Sequence, residues 1–148
     1  MHHCATPSAG SPHRGVSLME LLIVVAVMGI LASIALPNYT GYIKTQRIRA
    51  AQADLMALVL AMENAHAMAS PNAYPATTTT TDGTMQLLTS WKPAQAADFK
   101  YTISESSSNA YVLLAAGTSD LLKGCQLSIN QKNAKSIDVA CGKGAAWL

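Results

Sequence analysis

The chain has 148 residues, enough for one domain, of which half are hydrophobic and 12% are charged, and its net charge is +2. A net charge this small does not by itself indicate a nucleic-acid-binding protein. The sequence has no evident pairing of nucleophile and base, no phosphate-binding loop and no metal-ligand spacing. The composition therefore argues against an enzyme and predicts neither a metal nor another cofactor.

The most hydrophobic part of the chain is the segment 16–36, which follows a short N-terminal stretch. A helix of about 21 residues is about 31 Å long, close to the thickness of a bilayer core. A secretory signal peptide would have a shorter apolar run with small residues at its cleavage site. A plain transmembrane anchor would explain the length but not Glu20, because an unpaired carboxylate in a membrane is strongly unfavourable.

Helical periodicity continues beyond the apolar segment. Apolar residues recur at this spacing at Leu55, Leu58, Val59, Met62, Ala65, His66 and Ala69. Polar residues are assigned to the opposite face: Gln46, Arg49, Gln52, Asp54, Glu63 and Asn64. Pro71 cannot continue a helix. The pattern predicts one helix over 16–70, weakened at Gly29 and Pro37, whose second half (37–70) is amphipathic and packs on another element.

Four short β-prone runs follow, at 99–104, 110–117, 125–130 and 135–140, and turn-forming residues separate them. Short connections favour antiparallel pairing. Residues 71–98 are predicted to be a long connection, in which threonines 77–81 form an exposed loop with O-glycosylation as an alternative role. The predicted fold class is α+β, with a long N-terminal helix packed on a four-stranded antiparallel sheet within 99–148.

The three cysteines are Cys4, Cys125 and Cys141. If the first 15 residues are removed, one pair remains, and it brackets the last two predicted strands. In an oxidising compartment a disulfide between Cys125 and Cys141 would cross-link the two ends of this hairpin. The alternative is two free thiols.

The segment RGVSLMELLIVVAVMGILASIALPNY, residues 14–39, resembles the N-terminus of type IV prepilins and pseudopilins. Members of this family have a hydrophilic leader that ends in glycine, followed by an apolar helix with glutamate as its fifth residue. The positions that carry the resemblance are Gly15, Val16, Glu20, Gly29 and Pro37. The remainder is similar to the pilin fold in its order of helix, loop, sheet and disulfide-bounded C-terminal segment.

The resemblance implies how the chain is processed and assembled. Prepilin peptidase would remove the leader 1–15 by cutting between Gly15 and Val16, and would N-methylate Val16. The helix would then span the inner membrane once, until an assembly platform and its ATPase motor move the subunit into an extracellular bacterial filament of pilin subunits. There Glu20 would pair with the Val16 ammonium of a neighbour. Such a pair gains roughly 4 kcal/mol at 4 Å and an effective dielectric near 20, but desolvation offsets much of this, so register is the main expected benefit.

Residues outside the cleavage motif are weaker candidates. Gly29 and Pro37 either let the packed helix unwind as the fibre stretches or only permit close helix packing. His66 is expected to be a core or edge histidine rather than a ligand. Trp91 and Trp147 are expected to anchor the loop and the C-terminal tail onto the sheet.

The resemblance implies a type IV pilus subunit, most similar to small minor pilins of the PilE-like kind, that serves pilus biogenesis, twitching motility, adhesion or DNA uptake. The alternatives are a type II secretion pseudopilin and a pilus-borne subunit that binds DNA or a host surface. The cysteine pair favours a pilus over the major pseudopilin. Four lysines are candidate DNA contacts, although solvated surface is the default expectation for them: Lys123, Lys132, Lys135 and Lys143.

Overall fold

The computed structural model describes residues 16–71, 73–142 and 147, and the side chains of residues 35–38 are not described. The leader 1–15, Cys4 and Lys143 therefore lie outside the described residues. The chain divides into two units, Met1–Tyr39 and Thr40–Leu148. The elements are α1 (Leu18–Met68), α2 (Thr81–Leu87), β1 (Phe99–Ser106), β2 (Tyr111–Gly117), β3 (Gln126–Asn130), β4 (Lys135–Ile137) and a 3₁₀ turn (Val139–Cys141).

The described part of the first unit is the N-terminal half of α1, which begins at Leu18. Its large apolar side chains from Val16 to Ile34 are all exposed. The helix backbone is continuous through Gly29 and Pro37. By length and composition this part of α1 can cross a membrane.

The second unit is built on a four-stranded antiparallel sheet in the order β1-β2-β3-β4. One face of the sheet is buried because apolar residues alternate along the strands, and Tyr101 of β1, Ala115 of β2 and Leu127 of β3 lie side by side in the register. The second half of α1 contributes a buried stripe to the same core, namely Ile48, Ala51, Leu55, Leu58 and Met62. The predicted α+β class, with a long helix and a four-stranded antiparallel sheet, is confirmed.

The polar face predicted for the second half of α1 is wrong at two positions. Gln52 and Asp54 are buried, with 2% and 8% of their surface exposed, whereas Met56 and Leu60 are exposed. Asp54 is buried because it accepts hydrogen bonds from the backbone N–H groups of Ala94 and Gln95, both at 2.9 Å, and from the hydroxyl of Tyr101 at 2.7 Å. A carboxylate that holds the connection between helix and sheet cannot also lie on the solvated face.

The tryptophans anchor the loop and tail as predicted. Trp91 is buried, and its indole N–H donates to the carbonyl oxygen of Asp54 at 3.0 Å. Trp147 packs against the core, and its indole N–H donates to the carbonyl oxygen of Ser136 at 2.9 Å. His66 is an edge histidine, since it is half-buried and its ring stacks on Tyr74 with 4.2 Å between the centroids.

The connection between helix and sheet is more ordered than the exposed loop that the threonine run predicted. Thr78 pairs with the edge of β1, where its backbone N–H donates to the carbonyl oxygen of Ile103 and its hydroxyl accepts from the N–H of Ile103. Thr84 is buried in α2 and its hydroxyl hydrogen-bonds the carbonyl oxygen of Tyr101 at 3.1 Å. These threonines therefore satisfy polar groups on the edge of β1 that would otherwise be open to another strand.

The disulfide between Cys125 and Cys141 is present. It joins the residue directly before β3 to the 3₁₀ turn after β4, so the predicted pairing is confirmed. The final predicted strand is shorter than expected, because Asp138 turns the chain by accepting a hydrogen bond from the backbone N–H of Ala140 at 2.7 Å.

We expect the replacement of both cysteines, Cys125→Ser with Cys141→Ser, to lower the free energy of unfolding by about 3 kcal/mol. The bridge spans 16 positions of the chain, and closing a loop of this size restricts the unfolded state by about that amount. Urea denaturation of the oxidised full chain in detergent, compared with the double variant, measures the difference. Reduced wild-type protein should match the variant, and a difference below about 1 kcal/mol would show that the bridge contributes little.

Candidate nucleic-acid interface

The described candidate lysines lie at the two ends of the sheet. Lys132 and Lys135 are exposed in the β3–β4 turn and at the first position of β4, whereas Lys123 is exposed in the β2–β3 loop. The five residues of β3 separate the two ends by about 17 Å. Lys132 and Lys135 thus form one cationic site, and Lys123 belongs to a different surface that also carries Asp120.

The β3–β4 turn, residues 130–135, is held in shape by Asn130. Its side-chain oxygen accepts hydrogen bonds from the backbone N–H groups of Lys132 and Ala134, both at 3.0 Å. Asn133 adopts a positive φ of 57°, which asparagine tolerates better than most residues. The side chains of Lys132 and Asn133 are both exposed at the tip of this turn. The turn therefore presents a lysine and an amide on a backbone that is already ordered.

The second lysine of the turn lies against the C-terminal tail. The Nζ atom of Lys135 is 5.4 Å from the centroid of the Trp147 ring, within the range of a cation–π contact. Because the indole N–H of Trp147 is hydrogen-bonded to the carbonyl oxygen of Ser136, the ring is fixed, and its contact restricts the position of the Lys135 ammonium.

A polar groove of about 350 Å³ lies beside the turn. One wall comes from Asn130 and Gln131, and the other from the end of β1 and the β1–β2 loop, including Glu105 and Ser107. The hairpin 126–137 contains two lysines and no acidic residue, so its charge is positive. Ammonium groups suit phosphate oxygens, and amide side chains suit the edges of bases.

Tyr111, which lines the groove, is hydrogen-bonded to a carboxylate on α1. Glu63 accepts hydrogen bonds from the hydroxyl of Tyr111 at 2.9 Å and from that of Tyr74 at 3.1 Å. Burial raises the pKa of the Tyr111 hydroxyl above its ordinary value, and the hydrogen bond to Glu63 adds to the rise. Tyr111 therefore stays protonated and continues to donate at any physiological pH, which ties the start of β2 to the helix.

The residues of the cleavage motif lie outside this site. Val16 and Glu20 are exposed at the start of the described chain, and Gly29 is exposed within α1. In the described ranges 16–71, 73–142 and 147, no group of three His, Cys, Asp or Glu side chains could hold a metal ion. The sequence analysis did not single out Asn133 as a candidate, although the polar residues 131–133 between two β-prone runs indicated a turn there.

Comparison with known proteins identifies the family to which this chain belongs. Residues 37–142, more than two thirds of the chain, match a family described as type IV minor pilin ComP, DNA uptake sequence receptor. The chain belongs to this family of minor pilins. Residues 10–36 of the minor pilin match the prokaryotic N-terminal methylation motif. The predicted resemblance to type IV pilins, and to a minor pilin in particular, is confirmed.

Individual relatives match over short stretches of the chain. A fimbrial protein of Pseudomonas aeruginosa is 44% identical over 52 residues, which cover 35% of this minor pilin and 34% of the relative. The type IV major pilin protein PilE1 of Neisseria gonorrhoeae is 48% identical over 44 residues, or 30% and 26% of the two chains. The chain thus spans about a third or less of the length of these relatives. No solved structure matches it significantly.

Proposed function

We propose that this minor pilin is assembled into a type IV pilus and binds DNA there through the β3–β4 turn. The observation that carries the proposal is the match of residues 37–142 to the DNA uptake sequence receptor family, in a chain whose β3–β4 turn exposes Lys132 and Lys135. The same match favours a pilus over a secretion pseudopilus. Family members are structural subunits, which agrees with the absence of catalytic motifs in the sequence.

Processing and assembly follow from the N-terminal motif. Prepilin peptidase cuts between Gly15 and Val16 and methylates the new N-terminus, in keeping with the methylation motif at 10–36. The apolar half of α1 then holds the subunit in the inner membrane, because its side chains are exposed and nearly free of charge. The assembly platform and its ATPase motor transfer the subunit into the extracellular filament, where Glu20 pairs with the Val16 ammonium of a neighbouring pilin.

DNA binding begins with the phosphates. Lys132 and Lys135 lie on the same turn, and no carboxylate of the hairpin competes for their ammonium groups. Each lysine that contacts a phosphate releases counterions from the duplex, which stabilises the complex in a salt-dependent way. These contacts position the protein without reading the base sequence.

Sequence reading requires side chains that reach base edges. Because β3 also pairs with β2, the β3–β4 hairpin is the edge of the sheet, and only its exposed turn can approach the DNA major groove, which is about 12 Å wide. At its tip Asn133 is exposed, and an amide can bond both N6 and N7 of adenine. The turn thus offers phosphate-binding lysines on either side of a base-reading amide.

The double variant Lys132→Ala with Lys135→Ala is expected to weaken duplex binding about tenfold at low salt. The slope of log affinity against log salt concentration should also become shallower by about 2, since each lost phosphate contact removes about 1. The measurement is fluorescence anisotropy of labelled duplex DNA with the full chain in detergent micelles, between about 50 and 200 mM salt.

Lys92→Ala is the matched control, because Lys92 is an exposed lysine in the connection between α2 and β1. It should leave the slope unchanged. An equal loss of duplex affinity in Lys92→Ala, or no loss of affinity in the double variant, would contradict the assignment of the β3–β4 turn as the DNA-binding site. Lys123→Ala tests the other end of the sheet, and we expect it to bind like the wild type.

A further inference from the structure

The groove beside the β3–β4 turn has two walls at the same end of the sheet. Glu105, near the end of β1, belongs to one wall, and Asn130 and Gln131 belong to the other. In the register Glu105 lies beside Val112 of β2, which in turn lies beside Asn130 of β3. Two strand spacings therefore separate the walls, or about 10 Å between Cα atoms. Because the DNA major groove is about 12 Å wide, side chains from both walls can face the same stretch of it.

The wall on the hairpin presents hydrogen-bond donors. The side-chain oxygen of Asn130 is taken up by two backbone N–H groups of the turn, and Oε1 of Gln131 accepts from the backbone N–H of Tyr111 at 3.3 Å. A backbone N–H can only donate, so the amide atom that faces it is the oxygen, and the NH₂ group points elsewhere. Among the described residues no acceptor bonds Nε2 of Gln131. Gln131 is therefore a fixed donor at the side of the groove.

The opposite wall presents an acceptor. Glu105 is exposed, and in the described ranges 16–71, 73–142 and 147 no lysine or arginine forms an ion pair with it. A carboxylate accepts hydrogen bonds and repels phosphates, so it weakens DNA binding unless it meets a donor on a base. In the major groove the donors are the amino groups of cytosine N4 and adenine N6. Glu105 thus suits a role in base selection rather than in overall affinity.

We propose that Gln131 and Glu105 together read the two bases of one G·C pair. The edge of a G·C pair has the guanine acceptors N7 and O6 at one end and the cytosine N4 donor at the other. An A·T edge has its donor between two acceptors, so a donor and an acceptor on opposite walls match G·C better. Gln131 donates to the guanine and Glu105 accepts from the cytosine. This inference rests on the proposed function and names the base pair that the same site selects.

Selection of binding sites from a random duplex library, with the full chain in detergent, is the first measurement. The duplexes enriched by the wild type should share one G·C pair. Replacement of this pair by A·T, T·A or C·G should weaken binding at least about tenfold, as is usual for a base pair that is read directly.

Two variants that preserve side-chain size test the residues separately. Glu105→Gln introduces an amide that can turn either its oxygen or its NH₂ group towards the base, so discrimination between cytosine and thymine at this pair should fall at least about fivefold. Its affinity for duplexes without the pair should be equal or higher, because a charge that repels phosphates is lost. Gln131→Glu keeps an oxygen for the N–H of Tyr111 but removes the donor, so the preference for guanine should fall by a similar factor.

Asp120→Asn is the matched control, because it neutralises an exposed carboxylate in the β2–β3 loop at the other end of the sheet. It should select the same duplexes as the wild type. Wild-type sites without a shared G·C pair, or an unchanged preference in Glu105→Gln, would overturn the inference while leaving the proposed function intact. Failure of the wild-type chain to bind any duplex would overturn both.

Discussion

Asp54→Ala is expected to lower the free energy of unfolding by about 4 kcal/mol, a large share of the 5–15 kcal/mol typical of a domain. The carboxylate accepts three hydrogen bonds, from the backbone of Ala94 and Gln95 and from Tyr101. Hydrogen bonds to a charged group contribute about 1.5–3 kcal/mol each, and their loss leaves one buried hydroxyl and two partly buried N–H groups without an acceptor. Burial and the carboxylate both raise the pKa of Tyr101, so its hydroxyl remains a donor.

Urea denaturation of the full chain in detergent, followed by tryptophan fluorescence to which the buried Trp91 contributes, measures this loss. Asp120→Ala removes an exposed carboxylate from the β2–β3 loop and should change the stability by less than about 0.5 kcal/mol. A loss below about 1 kcal/mol in Asp54→Ala would mean that the connection is held mainly by apolar packing around Trp91.

Glu20→Ala is expected to be processed normally but to enter fibres poorly. The carboxylate would otherwise face the positive N-terminus of a neighbouring subunit, where a pair at 4 Å gains roughly 4 kcal/mol before desolvation and fixes the register of assembly. Without it, we expect the subunit to lose the interaction that would select its axial position. Gel mobility reports removal of the leader, and the fraction of the chain in sheared fibres, relative to its level in the cell, reports assembly.

Ser17→Ala is a suitable control for Glu20→Ala, because it also removes a polar side chain from the start of the apolar helix. We expect its assembly to match the wild type. Normal incorporation of Glu20→Ala would exclude the ionic pairing, whereas failure of both variants would indicate that any change in the motif disturbs processing.

Hydrophobic periodicity was sufficient to predict α1 and the four strands. The second half of α1 repeats apolar residues at helical spacing, and the strands alternate apolar with polar residues, so the helical and strand patterns are both clear in the sequence. The end of α1 is Met68, close to the predicted residue 70. The disulfide followed from cysteine count and position, because Cys125 and Cys141 bracket the last hairpin.

Tertiary contacts decided the parts that periodicity did not predict. Helix α2 has only seven residues, including Gly83 and two threonines, which are weak helix formers. It forms because Thr80 caps it, accepting a hydrogen bond from the N–H of Gly83 at 3.0 Å, and because Thr84 bonds to β1. Asp54 was assigned to the solvated face for a similar reason, since its partners lie about 40 positions later in the chain.

The candidate site was predicted only in part. A count of lysines indicated a mildly basic C-terminal region, but their distribution depends on strand direction and register. The turn places Lys132 and Lys135 together, whereas Lys123 lies at the far end of β3. The role of Asn130 in shaping the turn depends on two backbone hydrogen bonds that the sequence does not reveal.

Transformation frequency is the most direct test of the claim that this minor pilin binds DNA through its β3–β4 turn. A strain carrying Lys132→Glu with Lys135→Glu should assemble fibres that contain the variant at the wild-type level, yet take up DNA at least about tenfold less often, because the new carboxylates repel the phosphates. Lys92→Glu should transform normally. Wild-type transformation by the double variant, with the variant present in fibres, would contradict the claim.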